Sequence, residues 1–149
     1  MDKLHHEITP KLLDSLYVEA MVLADEARSY FDRDHANVFS TPEISVAFSC
    51  ESLKVTTRLM HSIAWLLNQK AIRAGEISRR DSHDGERELG YSPASDGFQV
   101  QRFPEEAQAL VAASEDLYFR LQRISEKMRS MAVPVSEPLA MIERLRASF

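Results

Sequence analysis

The chain has 149 residues, 44% of them hydrophobic and 28% charged, which suits one globular domain with its own core and argues against gross disorder. A formal net charge of −5 lacks the basic footprint that nucleic-acid binding requires. A single cysteine, Cys50, excludes an internal disulfide and points to a reducing compartment, and the polar first ten residues hold no apolar core of a secretory signal. No apolar run approaches the roughly 18 residues needed to cross a bilayer, so the expectation is a cytoplasmic protein without membrane or nucleic-acid partners.

The first predicted helix runs from about Lys11 to Phe31, with Thr9 as N-cap and Pro10 as its first residue, where a missing N–H costs nothing. Leu12, Leu13, Leu16, Tyr17, Ala20, Leu23 and Ala27 share one face, and acids line the other. Val18 and Val22 lie off the apolar stripe.

After a connector, the second helix spans about 43–74, and Gly75 offers the left-handed residue that closes it. Its start is marked by Ser40 and Glu43 at capping-box spacing, or alternatively by Thr41 with Pro42. Leu53, Val55, Leu59, Met60, Ile63, Ala64, Leu66 and Leu67 spread over about 200° of circumference, twice what one neighbour needs. This helix is the expected spine of the domain.

Residues 75–103 hold all four glycines, Pro93 and a charged run, and show no helical or strand period. They read as a long, partly mobile loop, the least stable part of the chain. The third helix starts near Pro104, with Glu105 and Glu106 favoured by the helix dipole, and ends near Met131. Leu110, Val111, Leu117, Tyr118, Leu121, Ile124 and Met128 share its apolar face; Phe119 sits among charges. Residues 136–149 can form a short tail helix on Leu139, Ile142, Leu145 and Phe149. The fold expected is all-α: one domain, an antiparallel three-helix bundle with a short C-terminal helical tail.

Chemistry finds little footing. His61 alone among the five histidines falls within a predicted helix, and no helical zinc pattern surrounds it. The Asp32–Asn37 stretch lacks the glycine and glutamate of a calcium loop and reads as a polar turn. Cys50 has no histidine partner and reads as a packed, inert thiol. No phosphate cradle or nucleophile elbow occurs, so no catalytic, cofactor-binding or metal site is expected and the chain is not predicted to be an enzyme.

On the second helix Arg58, Trp65 and Ile72 recur every seven residues within an arc flanked by Lys54, His61 and Gln69. Trp and Arg are interface anchors. Two readings stand: the stripe meets a second subunit or another partner, or the bundle and the long loop cover it.

The text Phe48-Ser-Cys-Glu-Ser-Leu-Lys-Val-Thr-Thr-Arg-Leu-Met60, followed by Ile63-Ala-Trp-Leu-Leu67 and Gln69-Lys-Ala71, resembles the conserved block of the bacterial family that contains the regulator of CtrA degradation. Tyr17, Glu19, Ala20 and Leu23 in the first helix, and Ser114 to Tyr118 in the third, extend the resemblance over about 12–129. It implies a dimeric three-helix bundle working as a protein-binding adaptor. In the best-known member the adaptor joins a primed ClpXP protease, through ClpX and a response-regulator-like priming protein, and helps deliver protein cargo. Glu51, Lys54, Thr57 and Arg58, with Trp65 and Ile72, become candidate contact residues for a homodimer or for those partners. The flexible tail of that member has no clear counterpart in the short, helix-patterned last segment here. The alternative is a helical dimerisation or scaffolding module in signalling with no link to proteolysis.

Overall fold

The computed structural model describes residues 2–33, 35, 39, 41–76, 88–132 and 144–148. Four helices carry them: α1 (Asp2–Phe31), α2 (Pro42–Arg73), the single turn α3 (Gly97–Val100) and α4 (Glu105–Ala132), with a further helical turn at 144–147 and no strand among the described residues. The protein is an all-α bundle of three long helices, as the three amphipathic periods predict.

Capping chemistry sets two of the boundaries. Thr41 caps α2, its side chain accepting the Ile44 N–H, and Pro42 takes the first position, the Thr-Pro start of the two expected; Ser40 of the capping box lies outside the described residues. Gly75, at φ 78°, ends α2: its N–H bonds Ile72 O at 3.1 Å and the Glu76 N–H bonds Ala71 O at 2.9 Å, the paired bonds of a Schellman turn. At the other end of the chain α1 begins at Asp2, with Pro10 inside it and not at its start. Proline fixes φ within the helical range, so a helix can run through it, at the cost of one N–H bond and of crowding between its ring and the carbonyl four residues back. Of the predicted tail, Leu139, Ile142 and Phe149 lie outside the described residues, and Leu145 is exposed.

Leu16, Ala20 and Leu23 of α1, Val55, Leu59 and Leu66 of α2, and Ala107, Leu117 and Leu121 of α4 meet in one core, with Ile63 and Ile124 packed half-buried against it. At one end an aromatic cluster closes the bundle: Phe48 stacks near Phe31 (5.3 Å between centroids), Phe39 (4.7 Å), His35 (4.8 Å) and Phe103 (5.4 Å). His35, in the stretch weighed as a calcium loop, is thus a packing residue whose Nε2 lies 2.8 Å from Tyr30 O; Asp34, Ala36 and Asn37 lie outside the described residues.

The helix directions explain the long connection. α1 runs antiparallel to α2, with Phe31 beside Phe48 at one end and Asp14 paired to Arg73 at 2.8 Å near the other. It also runs antiparallel to α4, through Arg33–Glu106 at 3.8 Å and the Arg120–Glu19 pair. α2 and α4 are therefore parallel: Phe48 meets Phe103 just before α4, and Arg58 meets Ser114 further along. A chain leaving the end of α2 must travel back along the whole bundle to start α4. α2, at 32 residues, is about 48 Å long. This return, which two antiparallel neighbours would not need, is described over residues 88–104.

Candidate functional site

The described part of the return, residues 88–104, lies along the groove between α2 and α4 and is fastened there by polar side chains of both helices. Glu88 pairs with Arg129 of α4 at 3.0 Å. The Tyr118 hydroxyl donates to Gly90 O at 2.7 Å and accepts the Ser92 N–H at 3.2 Å. His61 Nδ1 lies 3.0 Å from Ser92 Oγ. Arg58 donates to Pro93 O at 3.2 Å, to Ser95 Oγ, and to Ser114 Oγ at 3.1 Å. Glu51 accepts the Asp96 N–H at 3.0 Å, and Asp96 then caps α3 through the Phe98 N–H. Between Ser92 and Asp96 the segment advances about 13 Å if extended, close to the roughly 15 Å that separates His61 from Glu51 along α2. It therefore runs nearly straight, antiparallel to both helices.

Four of these bonds go to main-chain atoms of the segment, which fixes its path whatever side chains it carries. Close approach requires Gly90: a Cβ there would stand 2.8 Å from the His61 ring. The long loop is thus a fitted strap over residues 88–104. Leu89 and Val100 pack against the core and Phe103 joins it, while Tyr91 and Phe98 point outward.

Of the two readings of the Arg58–Trp65–Ile72 stripe, this arrangement favours cover by the bundle and the long loop over contact with a second subunit. Arg58 is 2% and Trp65 3% exposed, and Glu51 is equally buried; Ile72 is half-buried. The polar arc around them faces the polar backbone of the strap instead of solvent. Of the other candidates, Lys54 and Thr57 stay partly accessible, Lys54 reaching Glu51 at 3.0 Å. Glu51, Lys54 and Arg58 converge on one end of the strap; Thr57 faces the other way on the helix, and Trp65 sits in the core.

The charges are arranged to stay charged. Burial pushes the Glu51 carboxyl up, but hydrogen bonds from Ser95, the Asp96 N–H and Lys54, with the Lys54 charge, outweigh it and hold the group below its ordinary value. Burial lowers the Arg58 pKa, against the opposing pull of Glu115 and Glu51. A buried guanidinium costs several kcal/mol to desolvate, so it persists only where its donors are taken up, as they are here. No group of three or more histidine, cysteine or acidic side chains able to hold a metal occurs among the described residues.

The open surface of α2 is elsewhere, on the face turned away from the strap and from α1. Val46, Leu53, Met60 and Leu67, spaced by seven, are 63%, 67%, 64% and 46% exposed. Cys50, expected to be packed, is exposed on the same face, as is Ala64. The wide apolar arc of α2 therefore serves α1, α4 and a third, uncovered side. Seven-residue recurrence was the signal for it; counting all apolar positions into one buried arc hid it.

A family model described as "Protein of unknown function (DUF1465)" matches residues 4–149. The chain belongs to that family. Its fold is similar to the crystal structure of RcdA from Caulobacter crescentus CB15, with 28% sequence identity and a TM-score of 0.63 over 78% of this chain and 91% of that one. No curated protein matches the chain. The family resemblance read from the second helix is thus supported over most of the sequence, and Glu51, Arg58 and Tyr118, all within the resembling text, are among the residues that fasten the strap, while Ser114 takes up a further hydrogen bond of Arg58. No described helix is long and apolar enough to cross a membrane.

Proposed function

We propose that this protein is a protein-binding regulatory adaptor of the RcdA kind, working as a cytoplasmic homodimer that helps bring protein cargo to a ClpX-type protease together with a response-regulator-like priming protein. The observation that carries the reading is the likeness to RcdA across most of both chains, joined to a full-length family match. The uncovered apolar face of α2 supports it, because a row of large side chains 46–67% exposed marks a surface built to meet another protein. Catalysis plays no part in this account.

Within it the six candidate residues divide by position. Glu51 and Arg58 act from inside, fixing the strap and so the outer surface that includes Tyr91 and Phe98. Thr57 lies on the apolar face of α2 and Lys54 beside it, and both contact partners directly. Trp65 and Ile72 support α2 from the core side. The tagged chain, used as bait against purified ClpX-type unfoldase with and without the priming protein, is expected to retain the unfoldase only when the priming protein is present. Retention of neither protein would overturn the proteolysis reading. Self-association together with retention of neither partner would favour the alternative, a dimerisation or scaffolding module, to which the α2 face is equally suited.

A further inference from the structure

The uncovered face of α2 has an internal order that its length alone does not require. Large residues occupy one row: Val46, Leu53, Met60 and Leu67. Small ones occupy the row beside it at Cys50, Thr57, Ala64 and Ala71, none of them buried. The spacing alternates three and four, so both rows form one seam about 38 Å long. In a parallel pair of such helices like rows meet, and the small row would face itself across a gap. In an antiparallel pair each large residue meets a small one. One two-fold axis, level with Arg58 and Leu59, matches all four at once: Val46 with Ala71, Leu53 with Ala64, Thr57 with Met60, and Cys50 with Leu67. The same axis sets the N-terminal turn of α2, with Glu43, beside the last turn of the other copy, so that the opposite ends of the two helix dipoles meet; Lys70 and Arg73 in that turn face Tyr17 and Asp14 of α1. No carboxylate lies on the seam itself between its two ends.

We propose that two copies of this chain pair antiparallel along this seam, about that axis. The occupant is a second copy because the pattern is complementary to its own reversal, which is the requirement of a two-fold interface. This deepens, and rests on, the reading of the protein as a homodimer.

The natural cysteine lies on the seam and makes the register measurable in the full-length chain. Cys50 and position 67 are seventeen residues apart, about 26 Å along one helix, too far for a disulfide within a chain. Mild oxidation is expected to convert Leu67→Cys into a covalent dimer through Cys50 of one copy and the new cysteine of the other. The unmodified chain, and Leu67→Cys carrying Cys50→Ser, stay uncrosslinked. Met60→Glu, at an exposed position whose helical content is checked by circular dichroism, is expected to raise the dimer dissociation constant about 30-fold or more. Efficient crosslinking of the unmodified chain through Cys50 would show parallel pairing and overturn the proposal. A dimer in light scattering that neither variant affects would place the interface on another face, leaving the homodimer reading intact. A monomer at all concentrations would remove both.

Discussion

Replacing Tyr118 with phenylalanine removes one oxygen and leaves a ring of the same shape, so it isolates what the hydroxyl does. That oxygen holds two main-chain groups of the strap, Gly90 O at 2.7 Å and the Ser92 N–H at 3.2 Å. Ser92 is buried and Gly90 half-buried. The orphaned carbonyl at Gly90 can find water, so its loss costs only the net worth of a hydrogen bond, about 1 kcal/mol. The orphaned Ser92 N–H cannot find it without undocking the strap, which adds about 1–3 kcal/mol. The sum, about 2–4 kcal/mol, is capped by the free energy of docking itself, because a strap that swings out lets both groups meet water. At the lower figure Tyr118→Phe should speed exchange of the Ser92 amide about 30-fold, since 1.4 kcal/mol is a factor of ten. Native-state hydrogen exchange with chemical denaturation reads both numbers. Unchanged protection at Ser92 and an unchanged denaturation midpoint would mean that the strap is held by something other than this network.

Gly90→Ala is expected to destabilise by about 1–3 kcal/mol, because its Cβ would press on the His61 ring at 2.8 Å; in a denaturation cycle His61→Ala should recover most of that loss. Trp65→Ala, 3% exposed in the native chain, should cost about 3–5 kcal/mol of stability, as truncation of a core aromatic does, and leave the association of the folded fraction unchanged. Glu51 sets a pH dependence. Its folded-state pKa lies below the ordinary 4.5, so the stability it contributes is fully present above that value and is lost as the pH falls through the lower folded-state value. Glu51→Gln should flatten the acid limb of the stability–pH curve in that window, and an unaltered acid limb would show that the carboxylate does not hold the Asp96 N–H in solution.

The helices were legible where local chemistry writes them. Thr41-Pro42, Gly75 and Pro104 sit at the ends of α2 and the start of α4, and the apolar period of α4 picked out Leu117 and Leu121. Pro10 misled because proline favours the first turn of a helix, whereas here the helix continues through it. The parallel course of α2 and α4 has no local signature; only the length of 75–103 hinted at it, and that hint was read as mobility. The face of α2 bearing Arg58 and Trp65 was left open between a partner and a covering loop for a physical reason. Polar residues on a helix normally mark solvent, yet here they satisfy the backbone of a strap that has no helix or sheet of its own to satisfy it. Hydrophobicity alone likewise placed Leu53, Met60 and Leu67 on the apolar arc of α2, where nothing local showed that with Val46 they form an exposed row.

The adaptor account is tested most directly by sedimentation of the purified, full-length chain with purified ClpX-type unfoldase and its priming protein. The account predicts that the chain runs as a dimer alone, and that it moves into the fast-sedimenting unfoldase complex when the priming protein is added. A chain that sediments unchanged in the presence of both proteins, at concentrations of tens of micromolar, would contradict it.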